Sequence, residues 1–150
     1  MAGRPSTLAW ITVHLVYPLL PVPIEGFIRF GAASWALNFD TFSAATLSMS
    51  VGLLSVFINQ SIRTSKPIID DPTEDDTRNG TCALFMGAGI ISFVLFGLIV
   101  LTSALVIDRQ MKELRPLLAF FQGAVFVFWV IPVVAGVAAQ RGFKLRASYG

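Results

Sequence analysis

Residues 82–107 read CALFMGAGIISFVLFGLIVLTSALVI, without one charged side chain. As a helix rising ~1.5 Å per residue, this stretch reaches roughly 39 Å, more than the ~30 Å hydrocarbon core of a bilayer. It predicts a transmembrane helix, and with it the class of the protein: all-α and integral to a membrane.

Composition points the same way. The chain is 55% hydrophobic and 13% charged, where a soluble domain carries about 25% charged residues. Mean hydropathy is +0.72. The length fits one domain spanning 1–150. A formal charge of +2 is too small to imply nucleic acid as a partner. The single cysteine, Cys82, excludes an internal disulfide and any multi-cysteine metal site. Its place at the start of the apolar run predicts packing or lipid contact, and palmitoylation would rest on that position alone.

Working outward, we count four spans. The first is about 8–24 (LAWITVHLVYPLLPVPI), near the lower limit of ~17 residues. Pro18, Pro21 and Pro23 remove backbone donors and should bend or break its far end. A re-entrant hairpin is the alternative. A signal peptide fits less well, because the prolines crowd the far end and Glu25 follows at once. Residues 25–38 (EGFIRFGAASWALN) then read as a short interfacial helix, with Trp35 at headgroup depth and Glu25 paired i,i+4 with Arg29. The second span is about 41–60, capped by Asn38 or Asp40. The third is 82–107. The fourth is about 117–139, opened by Pro116 and kinked by Pro132. A polar loop, 61–81, joins spans two and three. Between spans three and four, Asp108 and Lys112 stand i,i+4, which predicts a charged extension of the third helix.

Lys and Arg counts set the expected topology. Arg4, Arg63, Lys66, Arg78, Arg141, Lys144 and Arg146 fall on one side, and Arg29, Arg109, Lys112 and Arg115 on the other. The bias places both termini in the cytoplasm. Asn79-Gly80-Thr81 matches a glycosylation sequon, which would put that loop outside if it were used.

Six groups of residues are candidates for function. In the second span Ala44, Ser48, Gly52, Ser55 and Asn59 recur at steps of four, four, three and four. Such a small and polar face lets helices approach closely. It would pack inside the chain, form a seam between copies, or line a pore. His14 is the only histidine and lies inside the first span. An ionisable group there is bonded to a neighbouring helix or serves as a gate. Glu25 and Arg29 form the interfacial pair. Asp70, Asp71, Glu74, Asp75 and Asp76 make an acidic loop suited to a basic partner, without the alternating ligands and central glycine of an EF-hand. Arg141, Lys144 and Arg146, interleaved with Phe143 and Leu145, suit an anionic leaflet. The aromatic run Phe120, Phe121, Phe126, Phe128 and Trp129 supplies apolar area to lipid or a partner.

Nucleophilic catalysis needs a base beside the nucleophile, and His14 is flanked by Val13 and Leu15. No catalytic, cofactor or metal motif is complete. The expected architecture is a four-transmembrane-helix bundle with a Pro-kinked first span and a short interfacial helix. The expected role is a non-enzymatic membrane subunit that oligomerises or docks onto other membrane-protein subunits. A homo-oligomeric channel lined by Ser48, Ser55, Asn59 and Gln60, with His14 as gate, is the alternative. A lipid-modifying enzyme built on His14, Glu25 and Arg29 comes third.

Overall fold

A computed structural model describes residues 6–32, 43–64 and 72–147, and its extended elements are all helices. Helix α1 (Thr7–Leu19) starts at Ser6, whose hydroxyl accepts from the Ala9 amide at 3.0 Å. Over Thr12–Val16 it widens into a π turn, and the Tyr17 amide bonds back to the Thr12 carbonyl. The next residue explains the loosening. Pro18 has no N–H, and its ring crowds the carbonyl one turn earlier. Helix α2 (Pro21–Ala32) follows with a 42° bend.

The prolines therefore bend the segment, but the expected boundary at Glu25 does not exist. Pro21 and Pro23 occupy the first turn of α2, where amides lack helical partners anyway, so one helix continues through to Ala32. Trp35, Asn38 and Asp40 lie outside the described residues.

Helix α3 (Ala44–Thr64) is capped by Ser43, whose side chain accepts from the Thr46 amide at 3.3 Å. The helix starts at Ala44, later than the expected 41. Helix α4 (Pro72–Asp108) is longer than its apolar run. Of the expected polar loop 61–81, residues 61–64 and 72–81 are therefore helical, and 65–71 lie outside the described residues. Polar sequence does not end a helix that water can solvate. Pro72 suits a first-turn position, and acidic residues at 74–76 suit the positive end of the helix dipole.

The charged extension after α4 is also corrected. The helix stops at Asp108, Gln110 turns through the left-handed region (φ 53°), and Lys112–Leu114 form a 3-10 turn. Helix α5 (Arg115–Phe128) has Pro116 in its first turn. Helix α6 (Val130–Gly142) continues it after a break at Trp129. The break precedes Pro132, which offers no amide to the Phe128 carbonyl.

Three stretches are long and apolar enough to cross a membrane: Ala44–Thr64, Asp76–Ile107 and Lys112–Gly142. The bent pair α1–α2 makes a fourth if counted as one. All run alongside α3 in alternating directions. Trp10 bonds to Ser61 near the end of α3, and Val22 and Pro23 share a cavity with Leu47 near its start. Ser48 meets Ser92, and Arg78 meets Ile62 and Arg63. Gly136 of α6 lies against Ile58. The segment α1–α2 thus passes along the length of α3 without doubling back.

The central place of α3 shows in burial. Half of its most apolar window is enclosed, against 17% for α4 and 11% for the last span. The apolar side chains left outside include Phe120 (68% exposed) and Val127 (74%). In water such exposure is unfavourable at ~25 cal/mol per Å². Against lipid tails, which are as apolar as leucine, that cost vanishes.

Candidate functional site

The small face of α3 meets α4 of the same chain. Ser48 Oγ donates to the Ser92 carbonyl at 2.7 Å, and both residues are buried. A Cβ on Gly52 would lie 3.0 Å from the Phe93 ring. Gly89 approaches from α4, its Cβ position 3.6 Å from the Ser55 Cβ and 3.7 Å from the Gly52 carbonyl oxygen. Ser55 donates back to the Val51 carbonyl at 2.8 Å. This is the close approach that small residues permit. Ser48 and Ser55 are enclosed, while Gln60 is exposed. Ala44 is buried at the start of α3, and Asn59 is half-buried with Oδ1 unpartnered among the described residues.

A second cluster joins α1 to the end of α3. Trp10 is fully buried, and its indole N–H donates to Ser61 Oγ at 2.6 Å. His14 stacks on Trp10, ring centroids 4.8 Å apart and planes 12° from parallel, with Nδ1 3.0 Å from the Trp10 carbonyl oxygen. The histidine's partner is therefore its own helix one turn earlier, and not a neighbouring helix. Leu54, Ile58, Ile62, Phe85 and Cys82 belong to the same buried cluster as Trp10. Cys82 is 5% exposed and belongs to this packed cluster. Arg78 of α4 closes this end by donating to the Ile62 carbonyl (3.1 Å) and the Arg63 carbonyl (2.6 Å). A cation is favoured at the negative end of a helix.

The ion pair expected between Glu25 and Arg29 forms. Arg29 Nε and Nη2 lie 2.8 and 2.7 Å from Glu25 Oε1. Glu25 Oε2 is buried without a partner among the described residues. Arg29 also borders a cavity of about 370 Å³ with Ser43, Ser103, Ile107 and Gln122. His14 and Glu25 hold different partners on either side of the bend and are not brought together.

The C-terminal stretch is a built hook. Lys144 adopts the left-handed conformation (φ 50°), and the Leu145 amide bonds to the Gln140 carbonyl at 3.1 Å. This is a Schellman ending, with lysine where glycine is usual. Gln140 Nε2 donates to the Leu145 carbonyl at 3.1 Å, and Leu145 is buried in the same apolar cluster as Trp10 and Ala139. Ala147 then pairs with Ser6 through amide–carbonyl bonds of 2.8 and 3.3 Å. Both ends of the described chain thus meet at one end of the bundle. Arg141, Lys144 and Arg146 remain exposed around the hook.

Of the acidic loop, Asp70 and Asp71 lie outside the described residues, positions 74–76 belong to the start of α4, and Asp76 is exposed. Asn79, of the sequon, is helical. No group of three or more His, Cys, Asp or Glu that would hold a metal occurs among the described residues.

The start of α4 and the end of α6 diverge and leave a groove of about 730 Å³ between them. Thr77, Gly80 and Leu84 form one wall, and Ala135, Ala138 and Phe143 the other. Sequence reasoning passed over this groove and the Trp10–Ser61 bond. The spacing of Trp10 and His14, i and i+4, was the available signal for their stack; nothing in the sequence paired Trp10 with Ser61. No family model, curated protein or solved structure matches the chain.

Proposed function

We propose that this chain is a non-enzymatic integral membrane subunit, crossing four times with both termini in the cytoplasm. It docks onto other membrane-protein subunits or further copies of itself. The observation that carries this is the outer stripe of the last span. Leu117, Phe120, Ala124, Val127, Ile131 and Val134 recur at alternating steps of three and four. Phe120, Val127, Ile131 and Val134 are each more than half exposed. Steps of three and four are the seam of helices packing at about +20°. The orientation rests on the Lys and Arg count.

Docking ranks above a channel because the hydroxyls of Ser48 and Ser55 are enclosed against α4. It ranks above lipid chemistry because His14 and Glu25 are engaged apart from each other. The test is the detergent-corrected mass of the complex after gentle extraction, with peptide identification. A whole multiple of 16.3 kDa, or foreign subunits in fixed ratio, is expected, and Val127→Trp with Ile131→Trp should lower that mass. A stable monomer from the native membrane contradicts the proposal.

A further inference from the structure

We infer that the groove between α4 and α6 holds an acyl chain of an anionic phospholipid, whose phosphate rests against Arg141 and Lys144. The inference relies on the membrane placement proposed above and names a ligand for one surface. From Thr77 to Leu84, at ~1.5 Å per residue, the groove is about 10 Å long. That is under two helical turns, too short to seat a spanning helix and suited to a flexible chain. Its outer end carries Thr77 and Thr81, and its inner end Leu84 and Ala135. A Cβ on Gly80 would find nothing within 4 Å, so the wall is open at that point.

Charge selects the headgroup. Gly142 and Phe143 close the outer end of the groove, and Arg141 and Lys144 flank them in sequence. Arg141, Lys144 and Arg146 are all exposed. From 115 to 147 the chain contains no Asp or Glu. Among the described side chains of α4, Asp76, exposed and next to Thr77 in sequence, is the acidic residue at this end. Cations held at the membrane surface favour an anionic lipid over a zwitterionic one.

The test uses the full chain in phosphatidylcholine vesicles with spin-labelled phosphatidylglycerol or phosphatidylcholine. Electron paramagnetic resonance reads the motionally restricted fraction of each. The wild type should prefer phosphatidylglycerol by about fivefold or more, the effect of one cation near the surface. Gly80→Phe and, independently, Ala138→Phe fill the groove and should bring the preference close to one, with helical circular dichroism unchanged. Arg141→Gln with Lys144→Gln should do the same. Equal restriction of the two lipids by the wild type overturns the inference. So does a preference that survives both groove-filling variants, which assigns it to surface charge alone. Loss of a protein subunit from the native complex of Gly80→Phe, with lipid preference intact, assigns the groove to a partner. No restricted lipid of either kind means that the membrane placement itself has failed.

Discussion

The indole of Trp10 donates to the hydroxyl of Ser61 across 51 positions of chain, at 2.6 Å and with the indole fully enclosed. The bond fixes the start of α1 against the end of α3. Ser61→Ala should cost about 1 kcal/mol, the size of a net hydrogen bond in protein or membrane, and Trp10→Phe should cost more, because it also empties part of a fully buried site. Together they should cost less than the sum, because they remove the same bond. Unfolding curves in mixed detergent measure all three variants. Simple additivity would mean that the two residues act independently.

Two serines at one crossing should behave oppositely. Ser48 supplies a buried hydrogen bond to the Ser92 carbonyl, whereas Ser92 Oγ is buried without a partner among the described residues. Ser48→Ala is expected to destabilise by about 0.5–1.5 kcal/mol. Ser92→Ala should be neutral or stabilising, since it removes an enclosed polar atom and improves helix propensity. The same unfolding assay compares them, and equal losses would contradict the assignment.

Glycines separate by what surrounds them. A Cβ on Gly136 would sit 2.6 Å from Ile58 Cδ1 and 3.3 Å from Leu15, both buried. Gly136→Ala should therefore cost about 1–3 kcal/mol through overpacking. A Cβ on Gly97 would meet nothing within 4 Å. Gly97→Ala should leave stability unchanged or raise it by up to about 1 kcal/mol. Ile58→Val, in combination with Gly136→Ala, should recover part of the loss.

The hook makes an unusual demand on Lys144, whose φ of 50° suits glycine better. Lys144→Gly should raise thermal stability, while Leu145→Ala, which empties a buried site, should lower it by about 2–5 kcal/mol. Limited proteolysis of the C-terminal stretch reports the same order. Faster cleavage of Lys144→Gly than wild type would count against the strained hook.

The apolar helices were legible because one physical requirement, length without charge, marks them. Residues 82–107 carried that signal alone. What failed was reading polarity and proline as endings. The prolines do bend the segment, by 42°, but Pro21 and Pro23 do not end it, because in the first turn of α2 they cost no hydrogen bond. Asn79 and Gly80 looked like a loop, yet a helix projecting into water keeps its own bonds. The small face of α3 was visible as a helix-approach surface, but spacing cannot tell which helix approaches, and here α4 does. His14 was marked by its charge class, while its stack on Trp10 depends on rotamers that no pattern specifies. The hook was read only as Arg141, Lys144 and Arg146, because the buried role of Leu145 depends on a turn made by a residue that rarely makes it.

In the proposed topology α4 carries the chain from one face of a membrane to the other. Single cysteines at Gly80, Arg109 and Arg146, in a Cys82→Ala background, test it with a membrane-impermeant maleimide on intact cells. The expected result is labelling of Arg109→Cys from outside, with Gly80→Cys and Arg146→Cys reacting only after permeabilisation. Equal reaction of Gly80→Cys and Arg109→Cys before permeabilisation would contradict it.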